Sequence, residues 1–296
     1  MKILIVGCNG FIGSKLLAYF SDRKYDVLGC AIQKLHSGTF LLNADMSNLS
    51  EVFSAGNYDV CINASGSSTV NFSIQNEAKD HELNVLNVAK ILEAIKLYQP
   101  QCKFINLSSA AVYGNPATLP IQESAATQPV SPYGKHKLLS EQLLKKYARQ
   151  HRLNTLSLRI FSVYGNGLKK QLFWDIYQKS KQSNTICLYG DGTETRDFIH
   201  SDDLMQAMEQ LILHATFDGS AINVASGKES TIRHAAQLML NALQPAAELV
   251  FSGEHNKADP QHWKADIAKL KAFGFTPQVP LEDGLKKYVT WLSELN

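Results

Sequence analysis

Long apolar runs are missing from this sequence. Nowhere do the roughly eighteen consecutive apolar residues of a membrane-crossing helix occur, so neither a membrane span nor a membrane partner is expected. The run Ile3-Leu4-Ile5-Val6, directly after Met1-Lys2, is too short for a secretory leader, and a soluble, cytoplasmic protein is the expectation. Cysteine is sparse and irregular. Cys8, Cys30, Cys61, Cys102 and Cys187 are odd in number and none falls in C-x-x-C spacing, which gives no disulfide framework and no metal or redox motif. Four of them lie in or beside apolar strand-like runs, where a reduced thiol acts as a small hydrophobe. An excess of one charge is lacking too: 29 Lys and Arg against 27 Asp and Glu leave a net +2. Without a basic block or a basic stripe interleaved with aromatics, nucleic acid is not an expected partner.

What is present is enough apolar side chain for a large core: 45% of the 296 residues are hydrophobic and 19% charged, a globular balance. Apolar runs at Ile3–Val6, Asp26–Ala31, Phe40–Leu42, Asp59–Ala64, Lys103–Leu107 and Thr155–Ile160 read as strands, most of them buried on both faces. Helical patterns separate them. The longest runs from Glu77 to about Tyr98, with Leu83, Leu86, Ala89, Ile91 and Ile95 expected to face a sheet. Alternation of this kind predicts an α/β fold with a doubly wound parallel sheet. Beyond about Asn166 the pattern changes, and residues 167–296 read mainly as a smaller substrate lobe, with a short return to the first domain around 197–226.

Chemistry enters at the strand ends. The first strand runs into Gly7-Cys8-Asn9-Gly10-Phe11-Ile12-Gly13 and then a helix, the strand–glycine loop–helix order that seats a dinucleotide pyrophosphate. Residues 1–166 therefore read as a Rossmann domain. At the second strand's end, where an Asp would select NAD and an Arg NADP, the chain has Ala31-Ile32-Gln33-Lys34, so NAD or NADP stays open; Lys34 or His36 meets a 2′-phosphate or sits in a solvated loop. Asp45, beside Met46, is placed to accept from an adenine amino group or to cap the helix near Leu49. Ala64, Ser65 and Gly66 form a small-residue loop at the fourth strand's carboxyl end, and Asn84 is a polar residue on the long helix. Ser109 ends the fifth strand. Ser131 reads as an N-cap and Pro132 as the first residue of a helix to about His151, which puts Tyr133 and Lys137 on one face, one turn apart. There the Lys137 ammonium is expected to favour the ionised phenol of Tyr133, suiting it to exchange a proton with a sugar hydroxyl. Tyr177 and Lys181 share that spacing without a strand-end serine upstream, and are taken as surface and core.

Together with Val112-Tyr113-Gly114, Arg159-Ile160-Phe161-Ser162-Val163-Tyr164-Gly165, and Gly190-Asp191-Gly192 with Arg196-Asp197-Phe198, these residues make the chain resemble the extended short-chain dehydrogenase/reductases, the NAD-dependent epimerase/dehydratase family acting on nucleotide sugars. The resemblance spans nearly the whole length. It implies a nucleotide-sugar substrate, a homodimer, no metal, and a catalytic set of Ser109, Tyr133 and Lys137. It implies cofactor contacts from Gly7, Asn9, Gly10, Phe11, Ile12, Gly13, Asp45, Met46, Ala64, Ser65, Gly66, Asn84 and Ile160 beside Tyr133 and Lys137. Substrate contacts are implied for Ser109, Ser162, Arg196 and Lys257. Epimerisation by transient oxidation, at C4, is the leading expectation; reduction of a nucleotide-linked 4-keto-6-deoxy sugar is the alternative, and a non-catalytic NAD(P) sensor a third reading. Dehydration is disfavoured, because Ala110-Ala111 stand where 4,6-dehydratases have an Asp-Glu pair.

Overall fold

The computed structural model describes residues 1–33, 38–254 and 260–295. Lys34, His36 and Lys257 lie outside the described residues. In chain order the first half forms β1 (Lys2–Val6), α1 (Phe11–Asp22), β2 (Asp26–Ala31), β3 (Phe40–Leu41), α2 (Leu49–Ala55), β4 (Val60–Asn63), α3 (Val70–Gln75), α4 (Glu77–His81), α5 (Asn87–Tyr98), β5 (Lys103–Ser109), α6 (Pro132–His151) and β6 (Thr155–Ile160). The second half adds β7 (Ser162–Tyr164), α7 (Gln171–Ser180), β8 (Thr185–Leu188), β9 (Thr195–His200), α8 (Ser201–His214), β10 (Asp218–Val224), β11 (Glu229–Thr231), α9 (Ile232–Leu243), β12 (Glu248–Phe251), α10 (Ala268–Ala272) and α11 (Leu281–Ser293). Among the described residues no helix is long and apolar enough to cross a membrane.

The chain divides into two compact units, the first comprising residues 1–114, 126–160 and 210–222 and the second 115–125, 161–209 and 223–296. The first is built on a seven-stranded sheet in the order β10-β6-β5-β4-β1-β2-β3, whose pairings from β3 to β6 are all parallel. Its first strand is buried along its apolar run, where Ile3, Leu4, Ile5 and Val6 have no exposed surface, as a sheet covered on both faces requires. The sheet reverses its winding between β1 and β4, so the loops after these strands open on the crevice where ligands bind in such folds.

Helices α4 and α5 are joined through a single π-helical turn, Glu82–Leu86. The extra residue in that turn rotates everything after it. The buried side chains are accordingly Asn84, Val85, Asn87, Val88, Ile91, Leu92, Ala94 and Ile95. Leu86, expected to face the sheet, is instead 46% exposed, and Leu83 and Ala89 are only partly buried.

The start of α6 matches its sequence signal: the Ser131 hydroxyl accepts the Gly134 N–H at 3.2 Å and Pro132 occupies the first turn. The inner face of α6 is unusually polar. Glu141, buried, accepts from Arg159 Nε at 3.0 Å, Arg159 Nη2 at 2.7 Å and Ser108 Oγ at 2.6 Å, while Arg159 Nη1 donates to the Tyr113 hydroxyl at 2.8 Å. This set fastens α6 to the ends of β5 and β6.

The second unit holds a three-stranded sheet, β11-β9-β7, and a two-stranded one, β12-β8, around an aromatic core that includes Tyr164, Phe173, Tyr177, Phe198 and Tyr288. Tyr177 belongs to that core, as its helical pattern implied, and Lys181 lies over its ring.

Replacing Glu141 by Ala would leave a guanidinium buried without its carboxylate. A loss of about 3–5 kcal/mol of stability in urea unfolding is expected; an unchanged midpoint would show that the pairing does not hold α6.

Candidate active site

The glycine loop follows β1 directly. A methyl group on Gly13 would lie 2.9 Å from the Cα of Cys8, so this glycine serves the packing of α1 against the strand. Gly10 differs. There an added methyl would meet only main-chain oxygen at an ordinary 3.4 Å from Gly7 and farther from Ala64, so no protein atom demands the bare Cα. Helix α1 has no side-chain cap and no acidic residue in its first turn, which leaves its positive end suited to an anion. The donor set fits a dinucleotide pyrophosphate. Asn9 Nδ2 donates to the Gln33 carbonyl at 2.6 Å, tying the loop to the end of β2.

The other expected cofactor residues of the first unit lie after β4, at the end of β6, in the π turn and in the loop after β3. Ala64 follows β4, with its N–H on the Val6 carbonyl at 2.8 Å, and Ser65 is anchored through Oγ to Asn63 Oδ1 at 2.5 Å. Ile160 ends β6 opposite Ser109 at the end of β5. Asn84 is buried in the π turn, its Oδ1 without a partner among the described residues. Asp45 is exposed, its carboxyl held below the usual range first by the Ser47 N–H. The capping position before Leu49 belongs to Asn48, not Asp45.

Ser109, Tyr133 and Lys137 meet at the carboxyl ends of these strands. Ser109 Oγ accepts the Ala111 N–H at 3.2 Å, which leaves its own proton available, and the hydroxyl is near enough to the Tyr133 phenol to favour its ionised form. Lys137 is buried, with Nζ donating to the Leu107 carbonyl at 2.9 Å and lying 5.7 Å from the centre of the Tyr133 ring. The expectation that the ammonium would bring the phenol towards ionisation is not met. Burial outweighs the other influences and pushes the phenol up to about 12; the Ser109 hydroxyl pulls it down and the Asp80 carboxylate adds to the rise. Burial also pushes Lys137 down to about 8, against the carboxylates of Asp80 and Glu141, which draw it up.

In the second unit, Arg196 and Ser162 sit on the adjacent parallel strands β9 and β7, where Ser162 is opposite Phe198. Arg196 Nη1 donates to the Thr195 carbonyl at 2.8 Å, and its guanidinium lies 5.4 Å from the Trp263 ring centre. The neighbouring carboxylates are engaged by main-chain donors: Asp197 by Ser226, Gly227 and Ala265, Asp203 by Gln278 and Val279. Sequence reading missed Asp80. A charged residue near a helix start is ordinarily solvated, and nothing local signals that this one is wholly buried.

A doubly wound parallel sheet with a glycine loop after β1 and a serine, tyrosine and lysine converging at the ends of later strands defines a dinucleotide-binding fold of the short-chain dehydrogenase/reductase kind. More narrowly, the model of the NAD dependent epimerase/dehydratase family matches residues 3–225, and the chain belongs to that family. The family names NAD where the end of β2 leaves NAD and NADP open. A Bacillus subtilis protein named as an uncharacterised UDP-glucose epimerase is 27% identical over 320 residues, covering 100% of this chain and 99% of that one. The UDP-glucuronic acid 4-epimerase of Bacillus cereus, solved with UDP-glucuronic acid and NAD, matches with a TM-score of 0.89 and 27% identity over 100% of both chains. The UDP-glucose 4-epimerase of Thermotoga maritima superposes with a TM-score of 0.91, covering 100% of this chain and 99% of that one; at 24% identity the likeness is one of fold.

Two outcomes separate packing from binding. Gly13→Ala should lower the melting temperature by several degrees, whereas Gly10→Ala should leave it within about 1 °C and weaken NAD binding by about tenfold or more; calorimetry and a fluorescence titration measure both, and equal NAD affinity in Gly10→Ala would contradict the cradle. For Lys137, the folded form releases its proton near 8 and the unfolded form near 10.5. The unfolded state thus binds more protons between these values, and wild-type stability gains from this residue as pH rises through them. Denaturation of wild type and Lys137→Met in parallel should show their difference changing across that window, with Lys137→Met losing ground as pH rises; a constant difference would contradict the buried ammonium.

Proposed function

We propose that the protein is an NAD-dependent nucleotide-sugar epimerase that acts on a UDP-hexose and inverts C4 by transient oxidation. The observation that carries this reading is the phenol of Tyr133, beside Ser109 and with the buried Lys137 ammonium 5.7 Å from its ring centre, within the same unit as the glycine loop. The UDP-sugars and NAD held by the Bacillus cereus neighbour, together with the family match, support the substrate class.

NAD, when bound, accepts a hydride from an alcohol carbon, can return it to the other face of the resulting ketone, and brings a cationic ring. In the proposal Gly7, Asn9, Gly10, Phe11, Ile12 and Gly13 hold its pyrophosphate, Asp45 and Met46 its adenosine end, and Ala64, Ser65, Gly66, Asn84 and Ile160 line its path. Tyr133 takes the proton of the C4 hydroxyl as the carbon is oxidised and gives it back when the alcohol re-forms. Ser109 donates to the same oxygen. Lys137, as ammonium, orients the nicotinamide ribose and stabilises the phenolate while the proton is away. A phenol lifted to about 12 holds its proton until added positive charge and a substrate hydroxyl arrive. Ser162 and Arg196 contact the nucleotide end of the substrate, with Arg196 presenting its fork of donors to a phosphate or ribose. Ala110 and Ala111 offer neither acid nor base, so dehydration forms no part of the proposal.

The test is incubation with UDP-glucose, UDP-N-acetylglucosamine and UDP-glucuronic acid, each carrying deuterium at C4, with catalytic NAD. A C4 epimer that retains the label is the expected product, and Tyr133→Phe should lower turnover about 10²–10⁴-fold while binding NAD as wild type does. Stoichiometric consumption of reduced cofactor with a 4-keto sugar and no epimer would replace the reading by that of a reductase. Unchanged behaviour of Tyr133→Phe, with no turnover of any sugar, would favour a sensor.

A further inference from the structure

A buried polar cluster that the proposed chemistry does not use lies against the Tyr133 helix. Asp80, in α4, has no exposed surface. Its Oδ2 meets His136 Nδ1 at 2.5 Å, and its Oδ1 accepts from Ser67 Oγ and, at 3.1 Å, from Asn84 Nδ2. Asn84 Nδ2 reaches Ser67 Oγ as well, at 3.2 Å. His136 is itself buried, with the ring of His81 edge-on at 5.2 Å. One carboxylate thus joins the loop after β4, the π turn and α6. A second tie runs alongside, from the Tyr133 main-chain N–H to Ser73 Oγ at 3.0 Å. Taking a carboxylate wholly out of water is unfavourable, and apolar packing would join these helices as well. His136, its partner, stands in the sequence between the two residues of the proton-handling pair.

We propose that Asp80 is a positioning residue for Tyr133 and Lys137: through His136 it fixes the first turns of α6 against the loop of Ser67 and the π turn of Asn84, and it sets a carboxylate behind the pair. The inference rests on the reading of Tyr133 and Lys137 given above. The negative charge strengthens the hold of both groups on their protons. Among the described residues, Glu141, one turn on in α6 and paired with Arg159, acts on Lys137 in the same sense, while His136 contacts Asp80 and has His81 against its ring. Asp80 and Glu141 both favour the ammonium form of the buried lysine, the form the proposed chemistry requires.

Asp80→Asn preserves size and one acceptor oxygen for Ser67 and Asn84, and it removes the charge while turning an N–H donor towards His136 Nδ1. The Lys137 titration, followed by NMR of lysine labelled with ¹³C at Cε and assigned with Lys137→Met, should fall by about one pH unit in Asp80→Asn. The alkaline limb of kcat on a UDP-sugar should move down by the same amount. His136→Ala keeps the charge and cuts the tie. There the Lys137 midpoint should not fall, while kcat drops about tenfold with KM within about twofold, and His136→Gln, which still presents an N–H, should recover most of the loss. An unmoved Lys137 midpoint and pH profile in Asp80→Asn would overturn the proposal; if that variant does not fold, wild-type kcat in His136→Ala overturns it. The NMR titration needs no turnover, so inactivity of the wild type towards UDP-sugars would count against the functional reading alone.

Discussion

One hydrogen bond fixes the arrangement: the buried ammonium of Lys137 on the Leu107 carbonyl, at 2.9 Å, sets α6 over the end of β5. Ser109 lies two residues further along the same strand, so the contact that seats the lysine also brings the Tyr133 phenol to the serine hydroxyl. Glu141 and Arg159 extend the same clamp one turn further along the helix. A lysine is seldom buried, and here burial lowers its hold on the proton to near neutrality. Polar groups on the inner face of α6 are therefore not incidental to the fold. They define the register in which a proton-handling pair faces the crevice.

Burial has opposite consequences for the two members of that pair. It weakens the proton affinity of a cation and strengthens that of a phenol, so Lys137 descends while Tyr133 rises. Proximity alone, five to six ångströms between the ammonium and the ring centre, does not reverse this. In the proposed cycle the remaining charge comes with NAD, which makes the tyrosine a base only when both reactants are in place.

Much of this was legible in the sequence because it rests on local rules. The apolar runs marked the strands, Gly7, Gly10 and Gly13 marked the first crossover, and Ser131-Pro132 marked the start of α6 to the residue. What escaped has physical causes. The π turn at Glu82–Leu86 carries no compositional sign, yet it turns Leu86 outward and brings Asn84 and Asn87 inside. Asp80 is buried by partners 13 and 56 residues distant in sequence, Ser67 and His136, a relation that periodicity cannot express. The sign of the Tyr133 shift depends on how much water the fold removes, which spacing does not contain. Among the proposed substrate contacts, Lys257 lies outside the described residues, while Arg196 and Ser162 were placed on neighbouring strands by a second sheet whose short strands had no clear pattern.

The central claim is that the Tyr133 phenol is the group that exchanges the proton of the reacting sugar hydroxyl. A crystal structure of the protein with NAD and a UDP-hexose tests it most directly. The account predicts the phenol oxygen within about 2.6–3.2 Å of the C4 hydroxyl, with Ser109 Oγ on the same oxygen. A phenol turned away from the sugar, with that hydroxyl resting on another side chain, would contradict it.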